Sequence, residues 1–147
     1  MEKSDILKFT GYTIEKILLE KSENSKNENG FNILYKIIPN NEKFEKNNVL
    51  MGVLIKNSLD FPYNLEVIIR GNFVIDGKST VDKKKKLLTI NSSAILFPYI
   101  RSLISLISSQ TDFNKILLPT FNFMNILEKI DEKDIFLEEK YFKDFQL

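Results

Sequence analysis

The run from Ile95 to Gln110 constrains the fold more than any other stretch of this chain. Leu96, Tyr99, Ile100, Leu103, Leu106 and Ile107 recur at a helical period and make one wide apolar stripe. Ser102, Ser105, Ser108 and Ser109 leave only a thin polar face. Asn91, Ser92 and Ser93 offer side-chain oxygens for a helix start. Pro98 lies near that start, where a missing N–H does least damage. The pattern predicts a helix over residues 93–110. A helix this apolar must cover something, and the chain upstream offers strands.

Phe9 to Lys21 is the first extended segment. Tyr12, Ile14 and Leu18 share one parity, Ile17 and Leu19 the other. Such a strand touches apolar material on both faces or is broken by a bulge at Gly11. Ser22 to Gly30 is polar and reads as a loop. Phe31 to Ile38 sets Phe31, Ile33, Tyr35 and Ile37 on one face, while Leu34 and Ile38 make the other partly apolar. Val49 to Lys56 does the same with Val49, Met51, Val53 and Ile55. Tyr63 to Ile75 alternates most clearly, interrupted by Gly71, which reads as a bulge or a close backbone approach. Short connections between these segments predict an antiparallel sheet in an α+β fold. Ser79 to Leu88 reads as a short helix carrying Lys83 to Lys86. A last helix, capped by Thr120 or Asn122, runs through Ile130 ahead of a charged tail at 131–147. The whole chain, 1–147, is expected to form one domain with its core over about 9–130.

Composition removes several function classes. The chain has 147 residues and a net charge of +1, so no strong field draws it to nucleic acid. The lysine run lacks interleaved aromatics and reads as a solvated face. There is no Cys and no His, which removes disulfides, thiolate chemistry and the commonest general base and metal ligand. Asp131-Glu132 and Glu138-Glu139 sit in the charged tail with nothing apolar to raise a pKa. No Gly-rich phosphate loop is present. The expectation is a non-enzyme with no catalytic residues, metal or cofactor. Met1 to Lys8 has no apolar h-region and no stretch reads as a membrane span, so a cytoplasmic location without membrane insertion is expected.

Ile95-Leu96-Phe97-Pro98-Tyr99 with Arg101, then Ser109-Gln110-Thr111-Asp112-Phe113, then Leu117-Leu118-Pro119-Thr120-Phe121-Asn122-Phe123, resembles the C-terminal half of the SecB-type export chaperones. Leu65-Glu66-Val67 leading to Gly71-Asn72-Phe73 resembles their fourth strand, and Phe9 to Glu20 more weakly their first. The resemblance implies a four-stranded antiparallel sheet with a long helix and short helices on one face. It implies a cytoplasmic, ATP-independent holdase for unfolded preproteins in protein transport and translocation, assembled as a homotetramer, a dimer of dimers. Phe31, Ile33, Tyr35, Phe61 and Tyr63 are the candidates for a client groove. Leu65, Val67 and Ile69 match family positions near a subunit interface, although a strand stripe of this kind also serves as plain core. On this assignment Leu65→Asp lowers the native mass, whereas Tyr35→Asp keeps it and weakens client binding. Glu20 and Glu66 fall where the family presents carboxylates to the motor SecA. The sequence departs from the family at Lys16, at Asn64 and, at the helix start, at Ala94. A reversed charge inside an acidic docking surface puts SecA binding in question. The alternatives are a chaperone dedicated to one client, such as an antitoxin, and an assembly module for one folded partner.

Overall fold

The computed structural model describes residues 5–22 and 31–119. The loop expected over 23–30, the helix expected through Ile130 and the tail lie outside those residues. Four strands and a helix follow in order: β1 (Ile6–Lys21), β2 (Phe31–Pro39), β3 (Lys46–Ile55), β4 (Tyr63–Asp76) and α1 (Val81–Ser108). The sheet is antiparallel with order β1-β4-β3-β2. β2, β3 and β4 form a meander, and β1 lies beside β4, a Greek-key order. Strand length accounts for that placement. β1 and β4 have 16 and 14 residues, against 9 and 10 for β2 and β3. Pairing the long strands with each other satisfies more backbone groups than any pairing of a long strand with a short one.

The mixed parity of β1 has a concrete cause. Its register shifts between Phe9 and Gly11 and again between Ile14 and Lys16. Each bulge inserts one residue and reverses which parity faces the helix. Leu7 and Phe9, then Tyr12 and Ile14, then Ile17 and Leu19 therefore share one face, opposite Ile75, Phe73, Gly71, Ile69, Val67 and Leu65. Gly11 carries the first bulge with φ at +126°, as the sequence suggested.

The helix-side face consists of rows that run across the sheet. Tyr35, Met51, Ile69 and Ile14 make one row, and Ile33, Val53, Val67 and Ile17 the next. Phe31, Ile55, Leu65 and Leu19 make a third. α1 closes the middle of these rows with Leu88, Leu96, Ile100 and Ile104, all at 0% exposure. A smaller cluster of Ile38, Leu50 and Ile68, with Leu34 packed against it, lies on the opposite face.

α1 is one continuous helix and starts earlier than the expected 93–110. Thr80 is its N-cap, and the Lys83 N–H donates to Thr80 Oγ1 at 3.3 Å. Ser92 and Ser93 are buried rather than capping. Their small side chains continue the contact line from Leu88 to Leu96, so the stretch has no reason to break. Pro98 sits in the interior. It deprives the Ala94 carbonyl of a partner, but both residues are exposed, so water can supply one. The lysine run is not wholly solvated either. Lys84 is 6% exposed with Nζ 3.4 Å from Lys43 O, and Lys85 Nζ lies 5.5 Å over the Phe44 ring. α1 is also long and apolar enough to cross a membrane, with a window of mean hydropathy 1.4, contrary to the sequence expectation. Its seat on the sheet uses part of that apolar surface, while Ile90, Tyr99 and Leu106 stay exposed.

Gly71 marks a close approach. A Cβ there would lie 2.7 Å from Leu96 Cδ2 and 2.8 Å from Phe73 Cε2. Gly71→Ala is expected to cost about 1–3 kcal/mol, because both neighbours are fully packed. Chemical denaturation would show a lower midpoint at an unchanged slope. An unchanged midpoint would mean that Leu96 yields freely.

Candidate functional site

The five groove candidates separate in the structure. Tyr35 is 5% exposed and pins α1 to β2. Its hydroxyl donates to Thr89 O at 3.2 Å, which leaves Ser92 Oγ, 2.6 Å away, as donor to the phenol oxygen. Tyr35 therefore packs under the helix and is no groove residue, which corrects the expectation. Burial drives the Tyr35 phenol well above its ordinary pKa, and the Ser92 hydrogen bond opposes this more weakly. Folded Tyr35 keeps its proton where the unfolded chain, with a tyrosine pKa of about 10, has lost it. Its contribution is intact below about pH 10 and falls by about 1.4 kcal/mol per pH unit above that. In Tyr35→Phe this alkaline slope should disappear, while stability at neutral pH drops by about 1 kcal/mol. Equal alkaline slopes in denaturation curves of both proteins would remove Tyr35 as the cause.

Phe61 is also buried, at 6% exposure, but it lines an open pocket of about 390 Å³. A tight turn holds it there: the Ser58 N–H donates to Phe61 O at 2.9 Å, and the Phe61 N–H to Ser58 Oγ at 3.1 Å. Ile55, Lys56, Ser58, Asp60 and Phe61 form one wall, Asn114 and Ile116 the other. Phe31, half-buried, is the register partner of Ile55 and so stands beside the pocket. Ile33 follows it along β2, also half-buried. Tyr63 stacks beside Phe61 at 5.1 Å, with Phe113 edge-on to it at 6.1 Å. Phe31, Ile33, Phe61 and Tyr63 thus gather at one end of the sheet. Lys56 and Asp60 give the rim both signs of charge. This surface suits an extended chain with apolar side chains and mixed polarity.

Asp112, in the turn after α1, accepts from the Tyr63 hydroxyl at 2.8 Å and lies 4.0 Å from Lys21 Nζ. The Tyr63 bond is the main reason that the Asp112 carboxyl is held below its usual range. The same bond raises the Tyr63 phenol.

Leu65, Val67 and Ile69 are each 0% exposed within this one chain. A side chain with no free surface cannot meet a second subunit, so the interface expectation is corrected to core. Open apolar surface begins one strand away. At the β1 ends of the same rows, Ile14 is 48%, Ile17 46% and Leu19 38% exposed. α1 adds Tyr99 at 39% and Leu106 at 60%. Those two belonged to the stripe read from the sequence, only part of which enters the core. Tyr99 meets Tyr12 and Phe9 on β1, with ring centroids 4.6 and 5.9 Å away.

Glu20 and Glu66 register with Asn64 and Leu18 on the opposite side of the sheet from α1. Glu20 is exposed. Glu66 is engaged by Lys16, with Nζ 2.6 Å from its Oε2. Arg70 pairs there with Glu15 at 3.0 Å. Half of the expected acidic pair is therefore neutralised within the chain.

An antiparallel Greek-key sheet under one long helix, with apolar side chains left open beside a filled core, defines an α+β protein. The family described as preprotein translocase subunit SecB matches residues 15–134. The chain belongs to the SecB family. An uncharacterized protein of Methanocaldococcus jannaschii is 33% identical over 133 residues, covering 86% of this chain and 85% of that protein. A solved SecB-like chaperone of Mycobacterium tuberculosis, in complex with a ChAD peptide from the HigA1 antitoxin, has the same fold. Its TM-score is 0.62 at 10% identity, over 79% of this chain and 88% of that one.

Sequence reasoning missed Ile14, Ile17 and Leu19 as surface and Asp112 as a site residue. The mixed parity of β1 was the available signal for the first three, because bulges bring both parities to one face. Asp112 stood out only as part of the family-like turn Ser109–Phe113, and its partner Tyr63 lies 49 positions away in the sequence.

Proposed function

We propose that this chain is an ATP-independent, cytoplasmic holdase that takes unfolded polypeptide on the surface around Phe31, Ile33, Phe61 and Ile116. The observation that carries this reading is an open pocket in which Phe61, Ile55 and Ile116 stand among polar and charged residues, beside a core that is already filled. Contiguous apolar surface beyond what the core needs supports a binding or assembly role. The Ile14, Ile17, Leu19, Tyr99 and Leu106 surface would join subunits, by the family's pattern into a dimer of dimers. Several pockets on one assembly would then hold one long client, so that avidity exceeds each local affinity.

The Lys16–Glu66 pair favours a dedicated client over delivery to SecA. A carboxylate already matched within the chain offers less to a basic partner surface. The Mycobacterium tuberculosis chaperone of the same fold was solved with an antitoxin peptide, which fits a single-client role.

The test is aggregation of a chemically unfolded protein on dilution, followed by light scattering without nucleotide. Suppression near one assembly per client is expected. If scattering persists at several-fold excess, the general holdase fails. A pull-down would then have to recover one cognate protein for the dedicated reading to stand.

A further inference from the structure

The segment from Thr111 to Pro119 has no regular structure, yet it supplies one wall of the pocket through Asn114 and Ile116. Its attachments are unequal. Toward α1, the Ile116 N–H donates to Ser108 Oγ at 2.7 Å, and Thr111 Oγ1 donates to Ser108 O at 2.7 Å. Arg101 Nε donates to Leu118 O at 2.9 Å. Toward the sheet, the polar attachment among the described residues is Asp112, which meets Tyr63 and Lys21. Those two are register partners where β1 ends and β4 begins, and Lys21 Nζ lies 5.9 Å over the Tyr63 ring. The wall is thus bonded to the helix at several points and to the sheet at a single exposed cluster. That cluster sits against Phe61 of the opposite wall, 5.1 Å from Tyr63.

We propose that the Tyr63–Asp112 hydrogen bond is a latch that sets the separation between the Ile116 wall and Phe61, and that capture of an unfolded segment releases it. The inference rests on the holdase reading and adds a gate to the same site. Its physics follows from exposure. Water competes for both groups, so the bond is cheap to break and quick to reform. Phe113 and Ile116 are half-buried against the core, which draws the wall back once a client leaves. The bonds from Thr111 and to Leu118 stay intact when the latch opens, so the wall swings with α1 as its mount while its middle bond, Ile116 N–H to Ser108 Oγ, opens with it. Released, Asp112 is free to accept an N–H from the client backbone.

Tyr63→Phe removes the hydroxyl and keeps the ring stack, and Asp112→Ala removes the acceptor from the other side. Hydrogen exchange of the 113–117 amides, read without any client, should quicken about two- to fivefold in either variant, while β3 and β4 stay protected. Association with a permanently unfolded probe, reduced and carboxymethylated α-lactalbumin, should quicken by a similar factor. The double variant should gain no more than either single one, as for two ends of one contact. Unchanged exchange in Tyr63→Phe overturns the latch. Quicker exchange with unchanged association in a wild type that binds the probe overturns the gate. A wild type that binds no probe at all removes the holdase reading, and the gate with it.

Discussion

Leu65→Asp is expected to leave the chain unfolded, with no intermediate in which a folded subunit simply loses its partners. Leu65 is 0% exposed in the middle of a row between Ile55 and Leu19. Replacing it deletes a core side chain, which alone costs about 2–5 kcal/mol. It also buries a carboxylate among the apolar side chains of the core cluster, adding a penalty of several kcal/mol. The sum is comparable to the whole stability of an ordinary domain, about 5–15 kcal/mol. Far-UV circular dichroism and limited proteolysis decide the matter. A folded Leu65→Asp protein of reduced native mass would restore Leu65 to the subunit boundary.

Ile17→Asp, one strand away from the same core, should give the opposite result. Ile17 is 46% exposed, so the folded chain can hydrate the new carboxylate. Its exposed flank continues to Ile14 and Leu19 on β1. A second subunit seated there would bury that carboxylate without a partner, at a cost of several kcal/mol per copy. The expected outcome is a protein with wild-type circular dichroism and a native mass lowered toward that of one chain. Native mass spectrometry across a concentration series reads it. If Ile17→Asp keeps the wild-type mass, subunits meet elsewhere and the β1 surface must be explained another way. The two substitutions together test whether the boundary between core and contact surface runs between β4 and β1.

Which parts of this were legible depends on the range of the interaction. Alternation in Phe31–Ile37, Val49–Ile55 and Tyr63–Ile75 placed three strands, because a half-buried strand must repeat every second residue. The apolar stripe of α1 was visible for the same reason at the helical period, and the LFPY start carried the family. The helix start was misplaced because Asn91, Ser92 and Ser93 look like caps. Only the contact with Tyr35 shows that Ser92 sits on the sheet. β1 resisted reading because two bulges reverse its parity, and a bulge is seen only against the partner strand.

The candidate site was half legible. Phe31, Ile33, Phe61 and Tyr63 do gather at one end of the sheet, while Tyr35, of the same type and on the same strand face, lies beneath the helix. A few residues along β2 separate an open position from a buried one. That difference is set by where α1 crosses and not by any local property of the strand.

The sequence by itself determined the four strands and the apolar helix, the side of β2, β3 and β4 that faces the core, the absence of thiol and imidazole chemistry, and the family. These follow from periodicity, composition and local motifs, which act over a few residues. Only the tertiary structure decided that β1 lies beside β4, that Leu65, Val67 and Ile69 are closed while Ile14, Ile17 and Leu19 are open, that Lys16 engages Glu66, and that Asp112 fastens the pocket wall to Tyr63. Each of these depends on strand order and on the path of one helix across the sheet. Periodicity says which face of an element is apolar. It does not say how far a covering helix reaches across that face, and the reach of α1 is what leaves the β1 ends of the rows open.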